Sequence, residues 1–152
     1  MTDPQWKLRP AVEGDRQTVA EMLADAELPV DGLEEQFGEG YVIAELDGRV
    51  VGAGGIEVHG NYGLLRSVVV REEARGHGLG VLIVNDRLRW SARKGLRAVY
   101  LLTIEVSEFF EHIGFTEMIR EEMPDEIQVS KEYAEVCPAT ATAMMIRLDP
   151  LC

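Results

Sequence analysis

The sequence predicts a single-domain α/β fold with a mixed sheet flanked by helices. β-like segments at residues 41–46, 50–59 and 64–70 precede a long amphipathic segment, and a buried apolar strand follows that segment. A strand, a helix and a further strand in succession form a right-handed crossover, so the strands before and after the helix lie parallel. The 152 residues, 46% of them hydrophobic, suit one domain spanning residues 1–152.

The first half of the chain is predicted to contain a strand, two helices and an antiparallel pair of strands. Asp15 is a candidate N-cap, and Asp47-Gly48 is a hairpin turn signal. Glycines inside the second strand of that pair indicate a bulge or a close approach of another backbone. The predicted elements are a strand at 8–11, a helix ending near 26, a short helix within 31–39 and strands at 41–46 and 50–59.

The second half is predicted to contain the crossover and the strands that complete the sheet. Gly95 and Gly114 stand where helices commonly end. The predicted elements are a strand at 64–70, a helix at 79–94, a buried parallel strand at 98–103, a helix at 107–113, a strand at 115–120, a partly helical segment at 124–136 and a strand at 140–148.

A glycine-rich segment joins the strand at 64–70 to the long helix. This glycine loop consists of Arg75, Gly76, His77, Gly78, Leu79 and Gly80. Glycine permits positive φ and close approach to a ligand, and a helix start offers unpaired N–H groups at the positive end of its dipole. The loop therefore predicts a phosphate site. It is neither a Walker loop, which needs Gly-Lys-Ser/Thr, nor a dinucleotide loop, which needs glycine where Ile83 stands.

The charge distribution limits the partners of the chain. A net charge of −12 argues against nucleic acid and against an anionic membrane. Basic residues nevertheless outnumber acidic ones between positions 66 and 97, as a bound polyanion would require. Arg75 and Arg71 are placed for phosphate contact, whereas the arginines from 87 to 97 fit the solvated face of a helix equally well.

The cysteines and the hydropathy pattern indicate a cytoplasmic protein without a metal. Cys137 and Cys152 lack the spacing of a zinc site and are expected to be free thiols. The chain shows no apolar run of roughly 20 residues and no signal-peptide pattern at its start, so we expect a cytoplasmic location.

Four motifs in order resemble the GCN5-related N-acetyltransferase (GNAT) superfamily. They are Leu65-Arg66-Ser67-Val68-Val69-Val70, the glycine loop, the strand at 99–103 and Phe109-Phe110-Glu111-His112-Ile113-Gly114-Phe115. The resemblance implies a parallel strand pair splayed around acetyl-CoA, with the pyrophosphate on the loop amides. Val68, Val69 and Val70 would pair with the pantetheine arm, and a bulge near Val68 would aim an N–H at the thioester carbonyl.

A closer resemblance concerns the amine. Leu64-Leu65-Arg66-Ser67, Leu101-Leu102-Thr103, Phe109-Phe110-Glu111 and Cys137-Pro138-Ala139-Thr140 are similar to arsenic-resistance N-acetyltransferases. That family resembles enzymes acetylating arsinothricin and phosphinothricin, and the acetyltransferase domain of N-acetylglutamate synthase. It implies a small amine substrate, a homodimer, and contacts from Arg66, Ser67 and Thr103. Arg66 either binds the substrate carboxylate in a bidentate manner or is a surface arginine in an ion pair.

The sequence offers no obvious side chain that could donate a proton to the departing CoA thiolate. Relatives place a tyrosine where this chain has Phe110, which is then expected to pack against the pantetheine. Glu57 is the predicted base that accepts the proton of the amine, and Glu105 and His59 are weaker candidates. Alternatively, Glu57 is an ordinary strand residue that faces outward. An acid at Glu105 would also repel an acidic substrate. The alternatives to amino-acid acetylation are peptide or protein N-terminal acetylation and a non-catalytic CoA-binding module.

Overall fold

The computed structural model describes residues 6–130, 133 and 139–148. These residues form a mixed α/β fold, which confirms the predicted class. The strands are β1 (Trp6–Pro10), β2 (Tyr41–Leu46), β3 (Arg49–His59), β4 (Tyr62–Val70), β5 (Ala98–Thr103), β6 (Thr116–Met118) and β7 (Thr142–Arg147). The helices are α1 (Arg16–Asp25), α2 (Leu33–Gln36), α3 (Leu79–Arg93), α4 (Ser107–Ile113) and α5 (Asp125–Gln128).

One sheet contains the seven described strands in the order β1-β2-β3-β4-β5-β7-β6. The predicted parallel pair is present, because Tyr62–Leu64 of β4 lies beside Ala98–Tyr100 of β5. β2 pairs antiparallel with β1 and with β3, and β7 pairs antiparallel with β5 and with β6. The sheet is therefore mixed and mostly antiparallel, as the sequence predicts.

The chain divides into two compact units, each made of two segments. The first unit comprises Met1–Gly55 and Ser67–Arg87, and the second comprises Ile56–Arg66 and Leu88–Cys152. The core of the first includes Val19, Leu23 and Ile43. The core of the second includes Leu64, Tyr100, Met123 and Ile127.

The glycines of β3 explain how α3 is placed in the first unit. A Cβ built on Gly54 would lie 2.5 Å from Cγ2 of Ile83, so only glycine lets the helix pack this closely on the strand. Gly52 faces the same side chain, with Ile83 Cδ1 at 3.1 Å. Because the start of α3 ends the glycine loop, this packing also fixes where the loop finishes.

Several local predictions need correction. Asp15 directly precedes α1 as predicted, but its side chain does not cap the helix. Its carboxylate instead accepts two hydrogen bonds from the guanidinium of Arg9, both at 2.8 Å, and one from the Val12 N–H. The strand expected at 115–120 is only Thr116–Met118, and a 3-10 turn replaces its end. Arg87 is 5% exposed rather than solvated, since it donates to Gly40 O at 2.8 Å.

Other predictions fall wholly or partly outside the described residues. Cys137 and Cys152, expected to be free thiols, are outside, as is most of the second half of the segment at 124–136. The described part of that segment contains α5. Within residues 6–130, 133 and 139–148, helices are too short or too polar to span a bilayer.

Candidate active site

The glycine loop has the backbone conformation that its sequence predicts. Gly76 and Gly78 have φ values of 86° and 76°, which disfavour any residue with a side chain. Leu79 begins α3, and Gly78 O accepts the N–H of Leu82 at 3.2 Å. A Cβ built on Gly76 or Gly78 would meet no atom of the described residues within 4 Å. The loop is thus open, and the first turn of a 15-residue helix stands behind it.

β4 departs from extended backbone at Ser67, one residue before the expected bulge. Ser67 has a φ of 60°, and we call Ser67 and Val68 the Ser67 bulge. Ser67 Oγ lies 3.0 Å from the hydroxyl of Tyr41 on β2. Val69 is buried, whereas Val68 and Val70 are half-buried. The end of β4 therefore presents an irregular backbone with partly accessible side chains.

Two arginines are tied to strand ends by their Nε atoms. Arg75 donates to Val70 O at 2.9 Å and Arg71 donates to Val50 O at 3.0 Å. These bonds hold both stems beside the entrance to the glycine loop. His77 is exposed, and its ring centroid lies 5.6 Å from that of Trp6 on β1.

A cleft borders this end of β4 within the first unit. Its volume is about 380 Å³. The end of α1 forms one wall, and the residues between β4 and the glycine loop form the other. The lining residues are Met22, Asp25, Ala26, Glu27, Val69, Val70, Arg71, Glu72, Glu73 and Arg75.

Three ionisable side chains of the second unit form a buried group, which we call the ionic cluster. Glu57 Oε2 accepts from Arg66 Nη1 at 2.6 Å, and Glu57 Oε1 lies 2.9 Å from His59 Nε2. The side chains of Arg66 and Glu57 are 1% and 2% exposed, whereas that of His59 is 18% exposed. The hairpin between β3 and β4 explains the grouping, because it folds residues 57 and 59 back beside residue 66.

The ionic cluster holds Glu57 in its charged form. Burial alone would raise the pKa of Glu57, but the hydrogen bonds from His59 and Arg66 and the charge of Arg66 together hold that pKa below its usual value. A carboxylate stabilised in this way is a weak proton acceptor. It is well suited to orient the imidazole of His59, which lies 2.9 Å away.

The sequence left open that Arg66 and Glu57 are ordinary surface residues, and the structure contradicts this for both. Arg66 does form an ion pair, but a buried one, and Glu57 faces inward rather than outward. A substrate carboxylate would reach Arg66 only if the residues that cover it moved. Glu105, the other acid considered as a base, is exposed after β5.

Thr103 and Phe110 both lie in the second unit. Thr103 is the last residue of β5, is 8% exposed and faces Thr142 of β7. Phe110 is 7% exposed, and its ring packs edge-on against Phe109 and Phe115 at centroid distances of 5.0 and 5.7 Å. Phe110 is therefore part of an aromatic core, and its contact with a pantetheine stays a prediction.

The sequence analysis missed Tyr41, whose ring lies against Gly55. Tyr41 is 1% exposed, and a Cβ on Gly55 would lie 2.4 Å from its Cζ atom. The glycines of β3 did predict a close approach, but periodicity could not identify the partner of Gly55 as a tyrosine ring. No group of three His, Cys, Asp or Glu side chains in the described part of the chain is arranged to bind a metal.

Comparison with known proteins assigns a family. A profile described as "Acetyltransferase (GNAT) family" matches residues 7–115. A curated protein of Mycobacterium tuberculosis named amino-acid acetyltransferase is 40% identical over 75 residues, which are 49% of this chain and 42% of that protein. The chain spans about half the length of the curated relatives that it matches.

Solved structures show the same fold. N-acetylglutamate synthase from Neisseria gonorrhoeae, complexed with coenzyme A and N-acetyl-glutamate, superposes with a TM-score of 0.82 at 18% identity, over 98% of this chain and 36% of that chain. The Rv2747 protein of Mycobacterium tuberculosis, in complex with CoA, superposes with a TM-score of 0.74 at 26% identity, over 93% of this chain and 98% of that chain.

Proposed function

The chain belongs to the acetyltransferase (GNAT) family, and we propose that it transfers an acetyl group from acetyl-CoA to the α-amine of a small amino acid. One observation carries the proposal: an irregular strand end at Ser67 leads into an open glycine loop at the start of α3. The backbone donors at these two places suit the carbonyl and the phosphates of one extended thioester ligand.

The residues that would hold the phosphates and the acyl end of acetyl-CoA lie in the first unit. Gly76, Gly78 and the first turn of α3 offer N–H groups and open space for the pyrophosphate. Arg75 lies at the entrance for a second phosphate contact, and the half-buried side chains of Val68 and Val70 border the pantetheine. Acetyl-CoA supplies an activated acyl group with a thiolate as leaving group. The Val68 N–H stabilises negative charge that develops on the carbonyl oxygen.

The ionic cluster would prepare the amine for attack. We assign proton acceptance to His59, whose side chain is partly exposed, and orientation of its ring to Glu57 at 2.9 Å. Glu57 thus contributes as a charged partner of the base rather than as the base itself. Thiolates leave readily, since a thiol has a pKa near 8.5, so no tyrosine is needed in place of Phe110.

The relatives support the proposed substrate class. A relative named amino-acid acetyltransferase supports an amino acid as the substrate. The N-acetylglutamate synthase with the same fold supports a glutamate-like substrate such as glutamate, phosphinothricin or arsinothricin. Carboxylate contacts are proposed for Ser67 and for Thr103, and for Arg66 once the residues that cover it move. We also expect a cytoplasmic location and a homodimer. Size-exclusion chromatography with light scattering would test the dimer.

Release of free CoA over a panel of amines tests the function. Glutamate, glutamine, phosphinothricin, arsinothricin and short peptides would each be mixed with acetyl-CoA, and the new thiol would be titrated. We expect turnover with one or more glutamate-like amino acids. Faster turnover of peptides would indicate an N-terminal acetyltransferase instead. CoA binding without thiol release from any amine would indicate a non-catalytic CoA-binding module.

A further inference from the structure

Ser67 has an unusual conformation for a residue inside a strand. Its φ of 60° lies in the left-handed region, which costs a residue with a side chain roughly 1–2 kcal/mol. The other described non-glycine residues with positive φ are Glu27, which follows α1, and Asp47 in a hairpin turn, where such values are ordinary. Strain of this kind persists only where surrounding groups hold it.

Tyr41 is placed to hold this conformation. Its hydroxyl lies 3.0 Å from Ser67 Oγ, and the residue is 1% exposed. A buried hydroxyl without a partner is costly, so the pair favours the backbone geometry that brings the two oxygens together.

The ring of Tyr41 is itself fixed by two neighbours. It occupies the space above Gly55, its register partner on β3, where a Cβ would lie 2.4 to 2.6 Å from three ring atoms. The ring of Phe37, just after α2, packs against it at a centroid distance of 4.9 Å. The hydroxyl therefore has little freedom to leave Ser67.

We propose that Tyr41 is a positioning residue for acetyl transfer: through Ser67 it holds the bulge in the left-handed conformation that directs the Val68 N–H toward the acyl carbonyl. This inference rests on the proposed function. Tyr41 acts through the backbone of β4 and has no contact of its own with the reacting atoms. Because the Val68 N–H would matter most when charge develops on the carbonyl oxygen, Tyr41 affects turnover more than cosubstrate binding.

Two substitutions separate this role from a merely structural one. Tyr41→Phe keeps the ring and removes the hydroxyl, and should lower kcat about tenfold while KM for acetyl-CoA changes less than about twofold. Ser67→Gly removes the strain, because glycine adopts positive φ without support. In the Ser67→Gly background, Tyr41→Phe should therefore lower kcat less than about twofold. Tyr62→Phe is the matched control on the same sheet, with an unchanged kcat.

A nuclear magnetic resonance readout independent of turnover accompanies the kinetics. Acetyl-CoA added without an amine should shift the Val68 amide resonance in the wild type, shift it much less in Tyr41→Phe, and shift it fully again in the double variant. A kcat for Tyr41→Phe equal to wild type, or a tenfold loss in both backgrounds, overturns the inference while leaving the acetyltransferase intact. A wild type that binds acetyl-CoA but acetylates no amine overturns the proposed function as well.

Discussion

The glycine loop and the ionic cluster differ in what gives them their chemistry. The loop offers backbone N–H groups, and its glycines at φ values of 86° and 76° leave open space around them. The ionic cluster consists of two almost fully buried side chains and the partly exposed His59, which contact one another at 2.6 and 2.9 Å. The glycine loop therefore has space and donors for an anionic ligand, whereas the opposite charges of Glu57 and Arg66 in the ionic cluster already neutralise each other.

This difference separates binding from stability. Changing the loop should weaken cosubstrate binding and affect folding only by the roughly 1–2 kcal/mol that a side chain costs at positive φ, because no atom of the described residues packs near Gly76 or Gly78. Changing the ionic cluster should affect folding first, because each charge in it depends on a partner inside the protein. Substitutions in each region test that separation.

Arg66→Ala should be the most damaging substitution. It leaves the Glu57 carboxylate buried without its 2.6 Å cation, and loss of one partner of a buried pair costs about 3–5 kcal/mol. Urea unfolding at neutral pH measures this loss.

Arg49→Ala is the matched control, because Arg49 pairs with Glu73 on the surface, with side chains 65% and 51% exposed. Exposed pairs contribute only about 0–1 kcal/mol. The double variant Glu57→Leu/Arg66→Met, which removes both charges, should recover most of the lost stability. Equal losses for Arg66→Ala and Arg49→Ala would show that the ionic cluster is not the buried pair that the geometry indicates.

His59→Gln tests whether the ionic cluster also serves catalysis. If His59 accepts the proton of the amine, kcat/KM should fall about 100-fold. The measurement is kcat/KM at neutral pH with the best amine of the panel. His112→Gln on the exposed face of α4 is the control. A kcat/KM that His59→Gln leaves unchanged would assign the ionic cluster to stability alone.

The sequence predicted the loop better than the ionic cluster for a physical reason. Positive φ and a helix start are local properties, so glycine spacing between a strand and an amphipathic segment is enough to predict the conformation of the loop. The parallel strand pair and the boundaries of α3 and β5 follow from equally local patterns, and the structure confirms them.

The ionic cluster depends on register, which local patterns do not determine. Glu57, His59 and Arg66 were each singled out, but whether they face one another or the solvent is decided by pairing in the hairpin between β3 and β4. The contact of Tyr41 with Ser67 joins positions 26 residues apart, so periodicity could not predict it.

Gly78→Ala addresses the other side of the comparison. At a φ of 76° a side chain costs roughly 1–2 kcal/mol, so CoA should bind about tenfold more weakly once the loop relaxes away from its binding conformation. Isothermal titration with CoA measures the affinity. Gly14→Ala is the control, since Gly14 also faces open space but lacks positive φ. An unchanged affinity would mean that the phosphates do not lie on this loop.

The smallest expected effect is the pH dependence of folding that comes from Glu57. Its pKa is held below the usual 4.5, so the folded state binds this proton less readily than the unfolded chain does. The stabilisation is complete above the unfolded pKa and is lost as pH falls through the folded pKa. The stability gap between wild type and Glu57→Gln should therefore narrow as pH falls below about 4.5 in urea titrations. Asp15→Asn should behave likewise, because the hydrogen bond from Arg9 outweighs burial and lowers the pKa of Asp15. A gap for Glu57→Gln that stays constant to low pH would mean that Arg66 and His59 do not stabilise the charged carboxylate, and the ionic cluster would then resemble a surface pair.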